Sequence, residues 1–204
     1  MSGQQKTTWF STSHEQPPRL LALSPSLIVA APNFLQNLWP GTLGTRGDAL
    51  LLAELGARTF RESSPYTPHE DLESYLKENF TCEKLLAYLG VKSAAALILE
   101  KSEQAIGYAL LYPGQAPNRL VPPPSIQLER LYILEEWTRH RLGDVLMARC
   151  LEYVRHSGFV SIWLTVWENN GRASRFYERW GFQKVGVYDF VVGRDIQKDF
   201  DLCN

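Results

Sequence analysis

Apolar positions along this chain recur in two rhythms, one helical and one strictly alternating, and the way they interleave outlines a mixed fold. Between residues 49 and 60, Leu51, Leu52, Leu55 and Phe60 fall on one broad helical face behind Asp48, a residue suited to capping it. Thr67-Pro68-His69-Glu70 has the form of a capping box with proline at the first helical position. It predicts a second helix carrying Leu72, Tyr75, Leu76 and Phe80. A third helix is expected from Thr81 to a stop at Gly90. Apolar runs over 94–99 and 105–112 then read as an antiparallel hairpin with a connection of four to five residues.

The proline-rich stretch 113–124 cannot be a central strand and is expected to be a loop. Beyond it come a strand over 125–134, an amphipathic helix over 139–157 closed by Gly158, and a strand over 160–167. A short helix over 173–180 and late strands over 184–191 and 199–202 complete the pattern. Upstream, residues 35–39 can form a first strand, and the domain is placed at 35–204. Residues 1–34 are an extension of partly flexible character, polar over 1–18. Strands and helices are intermixed, which favours an α/β sandwich over an all-helical or all-β architecture. No internal repeat is visible.

Composition narrows the function classes. A net charge of −1 over 204 residues offers no electrostatic case for binding nucleic acid or an anionic membrane. The apolar run 20–31 is too short to span a bilayer and is broken by Pro25, so a cytoplasmic protein is expected. Three distant cysteines, Cys82, Cys150 and Cys203, fit a reducing compartment. Neither they nor the four histidines have metal-ligand spacing, so no metal is expected. An aromatic content of 12% suits either an aromatic-lined pocket or an aromatic-rich core.

The most informative string is 161–182, a buried strand, a bend with Asn169 and Asn170, a helix around Phe176-Tyr177 and a Gly181-Phe182 exit. Three further strings accompany it in order. They are Tyr66-Thr67-Pro68-His69-Glu70-Asp71-Leu72, Leu128-Glu129-Arg130-Leu131-Tyr132-Ile133, and Phe190-Val-Val-Gly193-Arg-Asp195-Ile-Gln197-Lys-Asp199. Together they resemble the GCN5-related N-acetyltransferase (GNAT) superfamily over roughly residues 35–202, and most closely its bacterial spermidine/spermine-type members. The resemblance implies a mostly antiparallel central sheet, splayed between strands 4 and 5, with helices on both faces. It also implies acetyl-CoA as co-substrate, with pantetheine pairing to the backbone of Leu131, Tyr132 and Ile133 like an added strand.

The family's pyrophosphate motif, (Arg/Gln)-x-x-Gly-x-(Gly/Ala), falls on Thr138-Arg139-His140-Arg141-Leu142-Gly143, where only the last glycine is kept. Arg141 occupies the first glycine position and Asp144 follows the motif. Arg139, His140 and Arg141 could supply charge in place of close backbone approach. By the same resemblance Tyr177 is the acid that protonates the leaving thiolate, and Asn170 holds the pantetheine arm. For the base, strict alternation places Gln127, Glu129, Leu131 and Ile133 on one face. Gln127 cannot take a proton, so Glu129 is the candidate and Glu168 the second, either of which could instead serve a structural ion pair.

For the acceptor, acidic Glu62, Asp71, Glu73 and Glu78 suit a polyamine. Phe60, Tyr66, Trp163 and Trp167 suit an apolar or aromatic surface. The leading expectation is acetyl transfer to a small primary amine in a ternary complex, by a monomer or homodimer. The alternative is a ligand-binding or regulatory module with weakened coenzyme use, or other chemistry on an aromatic ligand.

Overall fold

The computed structural model describes residues 42–117, 120–192 and 195–204. The expected strand at 35–39, the extension 1–34 and the boundary between them lie outside the described residues. A seven-stranded sheet runs in the order β1-β2-β3-β4-β5-β7-β6. Its strands are β1 (Thr42–Leu43), β2 (Ala95–Lys101), β3 (Gln104–Tyr112), β4 (Ser125–Ile133), β5 (Ser161–Trp167), β6 (Gln183–Val192) and β7 (Asp195–Cys203). Every neighbouring pair is antiparallel except β4 and β5.

Helix α1 (Ala49–Ser63) packs on β3 and β4 through Leu52, Leu55, Gly56 and Thr59, positions three or four apart that share one face. A Cβ on Gly56 would sit 2.6 Å from the Phe80 ring, so α1 backs directly onto the end of α2 (His69–Asn79). Helix α3 (Cys82–Leu89) begins as expected, with the Thr81 hydroxyl accepting from the Lys84 N–H, and stops at Gly90. Helix α4 (Leu142–His156) buries Leu142, Val145, Leu146, Met147, Cys150, Leu151 and Val154 against the sheet. Helix α5 (Gly171–Arg179) adds Ala173, Phe176 and Tyr177 to the same core.

Several local expectations need correction. Asp48 stands at the N-cap of α1 as expected but makes no side-chain cap bond there; its carboxylate accepts from the Thr45 N–H at 2.7 Å in a capping box that opens a short 3-10 turn before α1. Helix α2 starts one residue later than the motif suggests, with Pro68 at the cap and no side-chain cap bond. The β2–β3 connection is only Ser102-Glu103, both at positive φ (50° and 66°), the tight turn that matches strand twist. The expected helix over 139–157 is divided: a 3-10 segment covers Glu135–His140, Arg141 turns left-handed, and α4 follows. Helix α5 begins at Gly171 rather than residue 173, because Asn170 caps it.

Strict alternation along β4 also fails. Leu110 pairs with Arg130 but Leu111 pairs with Leu128, so Glu129 is a bulge residue with no cross-strand partner. Cross-strand partners share a face, so beyond the bulge Arg130 and Tyr132 join Tyr108 and Leu110, while Leu131 and Ile133 turn to the other side. Gln127, expected beside Leu131, instead shares a face with Tyr112. The bulge therefore delivers Glu129 and Arg130 together to the wall discussed below.

Candidate active site

Strands β4 and β5 pair only at Ser125↔Ser161, Ile126↔Ile162 and Gln127↔Trp163. Past Gln127 they separate, and the backbone of β4 from Leu128 to Ile133 has no strand on its β5 side among the described residues. Bonds from the Val160 N–H to the Pro124 carbonyl (2.8 Å) and from the Ser161 hydroxyl to the Pro122 carbonyl secure the closed end. A cavity of about 1510 Å³ occupies the opening. It reaches the start of α4 at one end and the α1–α2 connection at the other.

At the α4 end the wall includes Thr138, Arg139, Arg141, Gly143 and Asp144, joined by Arg172 and Arg179 from α5. Arg141 has φ 56° and ψ 22°, a left-handed conformation that costs an L-residue energy and that glycine adopts freely. A turn that suits glycine thus carries arginine here. The first N–H groups of α4 lack intrahelical partners and carry the positive end of the helix dipole. Asp144 does not leave an uncompensated charge there. One oxygen accepts from Trp180 Nε1 at 3.1 Å and lies 4.0 Å from Arg179, and the other lies 3.4 Å from Arg141. His140 packs on Trp137 and the Leu142 side chain is in the core, so neither side chain lines the cavity.

The Tyr177 side chain reaches the cavity from α5, its ring edge-on to Phe176 at 5.3 Å and to Phe182 at 5.6 Å. Burial pushes its phenol well above the ordinary tyrosine range, with Tyr132 and Cys150 adding to the effect. It therefore stays protonated at neutral pH, as a proton donor must. Asn170 also lines the cavity, but its Oδ1 accepts from the Ala173 N–H at 3.0 Å as the cap of α5. The cap uses one lone pair of that oxygen, which leaves its second lone pair and the amide nitrogen for a ligand. Leu131, Tyr132 and Ile133 edge the opening.

The far wall gathers all four expected acceptor residues, Phe60, Tyr66, Trp163 and Trp167. Phe60 stacks on Tyr75 at 4.8 Å, and Tyr66 is strongly exposed at the rim. Glu129 and Glu168 both line the cavity. Burial raises the Glu129 carboxyl, against the opposing effect of Arg130, which lies 3.7 Å away, and of Lys84. Arg130 in turn donates to the Asn79 carbonyl at 3.2 Å, covers the Phe80 ring at 4.1 Å, and leaves Nη1 buried without a partner. The acidic α1–α2 residues do not supply the expected border. Glu62 bonds Arg58 and the Glu135 N–H, Glu73 bonds Arg61, and none of Glu62, Asp71, Glu73 and Glu78 lines the cavity.

Acidity enters instead from β7, through Asp199 and Asp201, which sequence reasoning did not assign to the site. Their partners on β5 are Trp167 and Thr165, so the four share the cavity face. Burial pushes the Asp199 carboxyl up to about 6; the Thr165 hydroxyl opposes the shift by donating to it, and the charge of Asp201 adds to it. Burial raises Asp201 as well. The alternation Asp199-Phe200-Asp201-Leu202 carried this signal, since Phe200 and Leu202 face the core. Among the described residues no cluster of His, Cys, Asp and Glu could hold a metal ion, and no helix is long and apolar enough to cross a membrane.

Comparison with known proteins adds the following. Residues 56–182 match the model of the acetyltransferase (GNAT) family. An uncharacterized N-acetyltransferase from the pepI 3′ region of Lactobacillus delbrueckii subsp. lactis is 30% identical over 150 residues, 73% of this chain and 84% of that one. An uncharacterized N-acetyltransferase of Mycobacterium tuberculosis is 29% identical over 154 residues, 75% of this chain and 94% of that one. The crystal structure of the PaiA N-acetyltransferase of Thermoplasma acidophilum, in complex with coenzyme A, shares the fold with a TM-score of 0.63 at 21% identity. That match covers 81% of this chain and 99% of the other.

Proposed function

Since the chain belongs to the GNAT acetyltransferase family, we propose that it transfers the acetyl group of acetyl-CoA directly to a small primary amine within a ternary complex. The observation that carries this reading is the open edge of β4 from Leu128 to Ile133, which shares one cavity with the left-handed turn at Arg141 and the protonated phenol of Tyr177. An extended pantetheine arm fits such an edge as an added strand along Leu131–Ile133. Its pyrophosphate would meet the first turn of α4, with Arg139, Arg141, Arg172 and Arg179 supplying charge.

The chain's own groups then have distinct tasks. The β4 edge and Asn170 hold the thioester in line, which removes much of the orientational barrier. Tyr177 protonates the departing sulfur, and a carboxylate on the far wall accepts the proton of the incoming amine. Glu129 is the base expected from position in the strand. The likeness to spermidine/spermine-type enzymes in four ordered motifs supports a polyamine-like acceptor. We place the protein in the cytoplasm, consistent with its free cysteines, as a monomer or homodimer. The reading in which coenzyme use is lost has less support, because the glycine-type turn survives the substitution by Arg141.

Acetyl-CoA is expected to raise the melting temperature, and Tyr177→Phe to lower kcat by about a hundredfold while that rise persists. No thermal response to millimolar acetyl-CoA would overturn the proposal.

A further inference from the structure

We infer that Asp199 and Asp201 form the subsite for the ammonium group of a cationic alkylamine acceptor, and that Asp199 rather than Glu129 takes the amine's proton. This rests on the acetyltransferase reading above and deepens it. Both side chains belong to residues over nine-tenths buried, at 6% and 4% exposure, yet each leaves one carboxylate oxygen without a hydrogen-bond partner. A buried carboxylate oxygen left unpaired is costly, so a partner from outside the chain is the natural completion.

Trp163, 6% exposed, lines the same wall. Trp163 and Trp167 stand on either side of Thr165 along the cavity face of β5, and Asp201 and Asp199 lie beside them on β7. Indole faces next to paired carboxylates suit an alkylammonium, whose charge they attract and whose methylenes they cover.

The basic residues of this sheet do not neutralise the pair. Lys198 also lines the cavity, but its ammonium lies 3.7 Å from Asp189, its cross-strand partner on β6. Lys184 sits over the Phe200 ring at 3.3 Å. Arg130 is engaged with Glu129 at 3.7 Å and with the Asn79 carbonyl. Glu129 thus has internal cations already, and Asp199 has room for the substrate's. The groups that bear on Asp199 are Asp201 and Thr165 on the sheet, Tyr132 on β4 and Tyr75 on α2. Its carboxyl, lifted by burial to about 6, is ionised at neutral pH and close enough to neutrality to act as a base.

In the step this implies, the ammonium gives one proton to Asp199 and becomes a neutral amine. The nitrogen forms its bond to the acyl carbon as the carbon–sulfur bond breaks. Tyr177 supplies its phenolic proton to the sulfur and recovers one from the new amide nitrogen, and Asp199 releases its proton to water.

The test measures acetyl transfer and thermal shift for the full chain, Asp199→Asn, Asp201→Asn and Glu129→Gln, with spermidine, 1,4-diaminobutane and aniline. Wild type should acetylate the two alkylamines and not aniline. Asp199→Asn should lower kcat by about a hundredfold and remove the acidic limb of the kcat/KM profile near pH 6. Asp201→Asn should mainly raise the KM for the diamine, by about tenfold. Glu129→Gln should keep that acidic limb. An unchanged acetyl-CoA thermal shift in each variant certifies a folded coenzyme site. If Asp199→Asn keeps kcat and the acidic limb while Glu129→Gln loses them, or if aniline is the preferred acceptor, the inference is overturned. If wild type shows no acetyl-CoA shift, the acetyltransferase reading fails instead. The subsite is still read in that case by spermidine raising the melting temperature of wild type and not of Asp201→Asn, and an equal rise in both sinks it.

Discussion

Replacing Arg141 by glycine and, separately, by alanine isolates the backbone at the α4 end of the cavity. Arg141 sits at φ 56°, ψ 22° immediately before α4. An L-residue in that region is disfavoured by roughly 1–2 kcal/mol. Glycine removes the penalty but gives back roughly 0.4–1 kcal/mol through its freedom in the unfolded chain. Both substitutions delete the 3.4 Å contact with Asp144. The Arg141 side chain is 72% exposed, so that contact is weak, and its loss cancels in the comparison. Asp144 keeps Trp180 in both variants. The glycine protein should therefore exceed the alanine protein by about 1 kcal/mol, about 3 °C in melting temperature for a domain of this size. Differential scanning fluorimetry without ligand reads the difference. Titration with acetyl-CoA then separates two contributions: a loss of affinity shared by both variants belongs to the guanidinium, and a loss in alanine alone belongs to the turn. An alanine variant as stable as the glycine variant would refute the left-handed assignment and the argument built on it.

Two further outcomes follow from the same geometry. A Cβ on Gly107 would lie 2.5 Å from Ile133 Cδ1 and 2.7 Å from the Tyr132 carbonyl oxygen, so Gly107→Ala must push β3 away from β4. A cost of about 1–3 kcal/mol is expected, and a melting temperature within a degree of wild type contradicts it. For Asp199 burial raises the folded carboxyl from the ordinary aspartate range to about 6. The folded state therefore binds the proton more tightly than the unfolded state, and stability is lost as pH rises through that interval. Above it the penalty, discounted for partial screening, is on the order of 1–2 kcal/mol. Asp199→Asn should melt above wild type at pH 7.5, with the gap narrowing as pH falls towards 4; a gap that widens on acidification contradicts the sign.

The periodic elements were legible because one residue's spacing predicts its burial. Leu52, Leu55, Leu72 and Leu76 face the core as helical spacing requires. The strand–bend–helix string over 161–182 was legible for a different reason: Asn170 caps α5 through its side chain and Gly181 leaves the helix at φ 86°, local duties that tie identity to position. The failures arose where a distant partner decides. Nothing local marks Glu129 as a bulge, since the extra residue is defined by β3 pairing across it. The left-handed Arg141 defies intrinsic preference and is held by the elements on either side. Asp199 and Asp201 read as ordinary strand polar positions until the register set them beside Thr165 and the two tryptophans. Glu62 and Glu73 show the reverse: a suggestive acidic run whose charges are spent on Arg58 and Arg61.

The short parallel join between β4 and β5 has a mechanical consequence. Three residue pairs, Ser125 to Gln127 against Ser161 to Trp163, are the whole ladder between one half of the sheet and the other. Such a join behaves like the apex of a wedge, where a force spreading the open ends is concentrated. A small change of angle at the apex becomes a larger change in width near Ile133 and Trp167, so Ser125, Ile126, Ser161 and Ile162, which do not line the cavity, still bear on its width at the open end.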